Sequence, residues 1–109
     1  MRTAILSDIH GNREALQACL AHIGRNPVDR IMFTGDVVGY GADPVWCLET
    51  VMDQCTKGAI AILGNHDEAV FKKECDMNAV ALAAIEWTRK QLGNDHRNFL
   101  EEMPILIEE

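Results

Sequence analysis

The sequence predicts an α/β fold built on a parallel βαβαβ sheet. Three apolar runs recur along the chain. Each ends in a turn rich in Gly and Asp or Asn, and each is followed by a helical pattern. Strands that alternate with helices pair in parallel through right-handed crossovers, and ligands of such sheets collect at the carboxyl ends of the strands. Here all three runs end in Asp, His or Asn, so the candidate chemistry lies at one sheet edge.

Thr3-Ala4-Ile5-Leu6 is a short apolar run with polar flanks, as a buried strand requires. Asn12 is placed to cap the helix that follows, and Glu14 suits its positive end. Leu16, Cys19, Leu20 and Ile23 form its apolar stripe, and Gly24 with Pro27 should close it. Ile31-Met32-Phe33 begins the second unit, which turns at Gly35-Asp36 and at Gly39-Tyr40-Gly41. Asp43-Pro44 reads as a cap and first helical residue, and Leu48, Val51, Met52 and Cys55 as the stripe. The third strand, Ala59–Leu63, runs into Gly64-Asn65-His66-Asp67. A longer helix is expected from about Asn78 to Leu92, stopped by Gly93-Asn94-Asp95. A short turn at Phe99–Met103 and the opening of another strand at Ile105-Leu106-Ile107 should follow.

The 109 residues correspond to one small domain, of which about two-thirds of the unfolded surface can be buried. With 48% hydrophobic and 25% charged residues the chain is globular rather than disordered. A formal charge of −7 argues against a broad nucleic-acid surface, so handling phosphate would need local positive charge, most simply a metal. No apolar run approaches a membrane span and none matches a signal peptide, so a cytoplasmic address and no membrane partner are expected. Cys19, Cys47, Cys55 and Cys75 form no close pair and read as reduced thiols that pack as small hydrophobes.

Asp8 and His10 stand two apart just beyond a strand, where extended backbone aims both side chains one way, toward a shared cation. Asp36 adds a hard carboxylate able to bridge two ions. Asn65 adds a neutral oxygen, and His66 a ring that can ligate or donate a proton near neutral pH. Mixed O and N donors without thiolate favour Mn²⁺, Fe or Zn²⁺ over soft-metal chemistry. Asp8 and Asn65 also suit turns, and His10 and His66 also read as loop histidines. The set gains its weight from recurring at three successive strand ends.

Asp8-x-His10-Gly11-Asn12, Gly35-Asp36 and Gly64-Asn65-His66-Asp67 resemble, in order and at typical separations, the first three signatures of the calcineurin-like metallophosphoesterases. The run Gly-Asp-Val-Val-Gly-Tyr-Gly-Ala-Asp-Pro at 35–44 is similar to a bacterial branch of phosphodiesterase-like members. The resemblance implies that residues 1–109 form the first, incomplete part of a single metallophosphoesterase-type α/β sandwich. It also implies two divalent ions in the complete domain, Mn²⁺ foremost, with Fe, Zn²⁺, Ni²⁺ or Co²⁺ as alternatives. By the same resemblance Asp8 and His10 bind the first ion, Asp36 bridges, and Asn65 binds the second while touching phosphate. His66 protonates the leaving oxygen. The substrate would be a small phosphate ester or a nucleotide, hydrolysed by an activated hydroxide without a covalent phospho-enzyme.

Two departures qualify the resemblance. Where protein phosphatases of this superfamily carry Asp-Arg-Gly, this chain has Gly39-Tyr40-Gly41. The arginine clamp is therefore missing, and Tyr40 becomes a candidate substrate contact or a ring packed over the sheet. The family's later histidine and Gly-His-x-His ligands are absent, and His22 and His96 read as solvated or packed residues. The chain alone is thus expected to be weak or inactive, with an uncovered sheet that favours self-association. The competing reading is a non-catalytic, degenerate or regulatory module that binds metal or phosphate. A Rossmann-type nucleotide binder would need Gly-x-Gly-x-x-Gly after the first strand, and Ser7–Arg13 holds one glycine.

Overall fold

In the computed structural model, which describes residues 1–72 and 76–107, three parallel strands lie in the order β1-β2-β3. They are β1 (Thr3–Leu6), β2 (Arg30–Phe33) and β3 (Ile60–Ala61), joined by helices α1 (Arg13–Arg25) and α2 (Pro44–Thr56). Three more helices follow: α3 (Asn65–Ala69), α4 (Ala79–Gln91) and α5 (Asn94–Glu102). The predicted α/β class with its parallel βαβαβ order is what the chain adopts.

The pairing register sorts the strand side chains by face. Leu6, Phe33 and Ala61 are register partners, and with Ile31 they pack into the core among Leu16 of α1 and Cys47, Leu48 and Val51 of α2. Leu92, Leu100 and Met103 close the same cluster. Because strand order follows chain order, right-handed crossovers place both connecting helices on this one face. Ile5, Met32 and Ile60 form the opposite row, and Ile5 is 66% exposed there.

The helices start as the sequence suggests. Asn12 Oδ1 accepts the Ala15 N–H at 3.0 Å and Asn78 Oδ1 accepts the Ala81 N–H at 2.9 Å. Asp43 holds the cap position of α2 but makes no side-chain cap bond, so Pro44 alone marks that start. Arg89 of α4 donates to the carbonyls of Ala69, Val70 and Lys72, which anchors the end of α3 against α4.

Several expectations need correcting. Helix α1 runs through Gly24 to Arg25, so that glycine interrupts nothing. Strand pairing in β3 is confined to Ile60–Ala61 rather than 59–63, because β2, its one partner in the sheet, pairs with it only at Met32 and Phe33. The Gly93-Asn94-Asp95 stop holds, since α4 ends at Gln91, but the same residues also open a further helix. His96 Nδ1 accepts the Gly93 N–H at 2.9 Å and α5 continues to Glu102, where a short turn was expected. Ile105, Leu106 and Ile107 form no strand among the described residues and are exposed. Cys19 is exposed, since a single buried residue, Leu16, anchors α1. Cys47 is buried and Cys55 partly so, and Cys75 lies outside the described residues.

Candidate metal centre at the strand ends

The loops after β1 and β2 are stitched together by backbone hydrogen bonds. Asp8 N–H donates to Gly35 O, His10 N–H to Asp36 O at 2.8 Å, and Gly11 N–H to Val37 O at 2.8 Å. This zipper continues the β1–β2 pairing past the strands, so Asp8, His10 and Asp36 come together by register. Glycines let the loops approach. A Cβ on Gly35 would lie 2.9 Å from Gly64 Cα, and one on Gly41 would overlap the His10 carbonyl oxygen. The β3–α3 turn is thereby pressed against Asp36.

Backbone strain concentrates at the same place. Asp8, His10, Asp36 and Tyr40 all have positive φ, between 48° and 68°, and no other described non-glycine residue does. Asp8 and His10 are therefore not on the extended backbone expected of them and meet instead through the loop pairing. Asp and His tolerate this conformation, whereas for a tyrosine it is an outlier. Gly41 N–H donates to Gly39 O at 2.9 Å, so Tyr40 sits at the tip of a γ-turn of the rare left-handed kind. Such residues cost on the order of 1–3 kcal/mol each and cluster at functional sites.

The side chains converge on one point. His10 Nε2 lies 3.4 Å from Asp8 Oδ1 and 3.9 Å from Asp36 Oδ2. Ligand atoms of His10, Asp36 and His66 all fall within 4.8 Å of one another. The donor set is prepared for a cation in three ways. His10 Nδ1 contacts the Val38 carbonyl at 3.2 Å, which favours the tautomer with its proton there and a bare Nε2 facing the carboxylates. Asp36 Oδ1 accepts the His66 N–H at 2.9 Å, leaving Oδ2 toward His10. His66 Nδ1 is buried with no hydrogen-bond partner. These nitrogen and carboxylate donors fit a borderline divalent ion.

The remaining candidates are placed as follows. Asn65 opens α3 beside His66 and is exposed. Tyr40, 52% exposed, stands against both imidazoles, its ring centroid 5.3 Å from that of His10 and 4.9 Å from that of His66. An open hollow of about 460 Å³ adjoins them, lined by Asp8, His10, Glu14, Tyr40 and Asp43 among others. A second hollow, about 410 Å³ between Ile23, Arg30 and Lys57, contains none of the candidate residues. His22 is exposed, and His96 pairs with Glu49 at 3.2 Å, so neither joins the cluster.

Asp67 is the residue whose role the sequence reading did not assign. Fully buried, its Oδ1 accepts the Val38 N–H and its Oδ2 the Gly64 N–H, each at 3.1 Å. It therefore ties the loop carrying Asp36 to the turn carrying His66. Burial pushes its carboxyl up to about 6, against the two backbone donors that favour the ionised form. The sequence signal was an acid three residues after Gly64, the spacing of a helix-start capping pattern.

Known proteins resemble this chain in sequence and fold. The calcineurin-like phosphoesterase family matches residues 1–106. An uncharacterised protein of Methanocaldococcus jannaschii is 41% identical over 97% of this chain and 43% of its own length. A symmetrical bis(5′-nucleosyl)-tetraphosphatase of Actinobacillus pleuropneumoniae is 43% identical over 99% of this chain and 41% of its own. A metallophosphoesterase crystal structure from Sphaerobacter thermophilus superposes with a TM-score of 0.78 and 42% identity, over 95% of this chain and 41% of that one. The hypothetical protein PH1004 of Pyrococcus horikoshii, at 21% identity and TM-score 0.84 over 95% of this chain and 48% of that one, shares the fold. The chain thus spans about two-fifths of the length of the curated relatives it matches. With the family matched over nearly its whole length, the chain belongs to the calcineurin-like phosphoesterases.

Proposed function

We propose that this chain forms the first part of a single phosphoesterase domain that hydrolyses a phosphate ester with the help of divalent ions. The observation that carries the reading is the convergence of His10, Asp36 and His66 within 4.8 Å, with His10 Nε2 3.4 Å from Asp8 Oδ1 and 3.9 Å from Asp36 Oδ2. Asp8 and His10 would hold one ion, with Asp36 bridging to a second that Asn65 also contacts. Mn²⁺ suits this donor set best. When bound, such ions neutralise charge on the phosphoryl group and acidify a water for in-line attack at phosphorus.

The chain's own residues do the rest. Asp36 orients the turn that carries His66 through its bond to the His66 N–H. His66 would hold a proton at a ring nitrogen beside the departing oxygen, and Asn65 and Tyr40 would contact the substrate. The symmetrical bis(5′-nucleosyl)-tetraphosphatases among the relatives favour a nucleotide ester as substrate. The competing reading, a module that binds metal or phosphate without turnover, draws on the positions of His22 and His96, which add no ligand.

Two measurements decide between them. Calorimetry with Mn²⁺ should give a heat that shrinks sharply in Asp36→Ala; identical titrations would remove the cluster as a metal site. In the full-length protein, His66→Ala should lower kcat on bis(p-nitrophenyl) phosphate by about 10²–10⁴-fold with metal content nearly unchanged. Unaltered turnover would take His66 out of the mechanism. No metal-dependent turnover in the wild type would favour the binding module.

A further inference from the structure

Tyr40 is held where a packing residue would not be. It occupies the tip of a left-handed γ-turn at φ 68°, yet its ring is 52% exposed, so burial does not compensate for the strain. The turn is locked in place on both sides. Gly41 N–H also donates to His10 O at 2.7 Å, and a Cβ on Gly39 would lie 2.8 Å from His66 Nδ1. The ring is thereby fixed against both imidazoles of the cluster while it lines the 460 Å³ hollow. That volume lies within the roughly 300–1,000 Å³ typical of small-molecule sites. The other polar side chains of the hollow include Asp8, Glu14 and Asp43, which as carboxylates accept hydrogen bonds and repel anions.

We infer that Tyr40 is a stacking surface for the leaving group of the ester, and that the group it selects is a neutral, flat, amine-bearing ring such as a nucleobase. Resting on the reading of the cluster as a phosphoryl site, the assignment adds the residue that selects the base and the way it does so. Stacking a base on an exposed tyrosine matches the ring chemistry, and the carboxylate-lined wall suits exocyclic amines rather than a further phosphate.

Tyr40 is the single tyrosine of the sequence, so 3-fluorotyrosine labelling gives one ¹⁹F resonance that reports on it alone. With Zn²⁺ present, adenosine 5′-monophosphate should shift that resonance, whereas ribose 5-phosphate, identical but for the base, should leave it nearly unmoved. By calorimetry the nucleotide should bind about ten- to a hundredfold more tightly than the sugar phosphate. The preference should survive Tyr40→Phe, which keeps the ring. It should collapse in Tyr40→Asn, since asparagine tolerates the left-handed backbone but offers no stacking surface. Equal affinity for both ligands in the wild type, or a preference that persists in Tyr40→Asn, overturns the assignment while leaving the phosphoryl site standing. Failure of both ligands to bind overturns the phosphoryl site and the stacking surface together.

Discussion

Replacing Gly64 with alanine tests whether the close approach of the loops builds the centre. The backbone of Gly64 is extended, at φ −95° and ψ 168°, so alanine meets no torsional obstacle and the whole effect is steric. Its Cβ would overlap the Asp36 amide nitrogen and Oδ1 and lie 2.8 Å from Asp36 Cγ. These atoms belong to backbone and to a short pinned carboxylate, so the loop itself must move. Overpacking of this kind costs about 1–3 kcal/mol. Displacing Asp36 also strains the 2.9 Å bond from His66 N–H to its Oδ1, a charge-assisted contact worth about 1.5–3 kcal/mol. Gly64→Ala should therefore lose about 3–5 kcal/mol in urea unfolding and most of the Mn²⁺ heat. Two controls separate the causes. Gly58 has φ 104° but no neighbour within 4 Å, so alanine there should cost only the torsional part, about 1–2 kcal/mol, with Mn²⁺ binding intact. Gly24 sits inside α1 with equally open surroundings, and alanine should stabilise by about 0.5–1 kcal/mol. Gly64→Ala within 0.5 kcal/mol of wild type and with undiminished Mn²⁺ binding would refute the argument.

Asp67→Asn should cost about 1–3 kcal/mol and weaken Mn²⁺ binding, because an amide can accept from only one of the Val38 and Gly64 N–H groups; urea midpoints and calorimetry check both. In a Cys75→Ser background at pH 8, a disulfide reagent should modify exposed Cys19 quickly. Cys47 should react only on unfolding, burial having pushed its thiol up to about 11; equal rates for the two would contradict its placement. Because the unfolded chain releases the Cys47 proton near pH 9 and the folded chain keeps it to about 11, stability should fall as pH rises through that window. Cys47→Ala should flatten that fall. The apolar row of Ile5, Met32 and Ile60 should promote self-association, and light scattering should show less of it in Ile5→Lys. Identical scattering would move the contact elsewhere.

The strands, the first two helices and the convergence of the turns were legible because each follows from local pattern: apolar runs, Asn caps, and Pro44 after Asp43. Where the sequence misled, a specific contact decided. His96 accepts the Gly93 N–H three residues back, so the turn that stops α4 also starts α5, a contact that composition does not announce. Cys19 falls on a helical stripe, but of α1 only Leu16 is buried and Leu20 packs part-buried against the core, so the stripe is wider in sequence than in burial. The left-handed backbones of His10, Asp36 and Tyr40 were hinted at only by the glycines beside them, and nothing beside Asp8, between Ser7 and Ile9, announced its own.

Those four conformations also account for what the residues are. A left-handed backbone at the end of a strand turns the following segment sharply across the sheet edge, and register then sets His10 against Asp36. The ring nitrogen beside the Asp8 and Asp36 carboxylates is His10 Nε2, at 3.4 and 3.9 Å. Two carboxylates that share one imidazole, beside a buried His66 Nδ1 without a hydrogen-bond partner, crowd negative charge at this point. The zipper between the two loops and the Asp67 bridge hold the groups together despite that repulsion. A divalent ion would relieve the charge crowding at these strand ends and accept the bare nitrogen lone pairs, and it is the kind of ion that the proposed phosphoester chemistry uses.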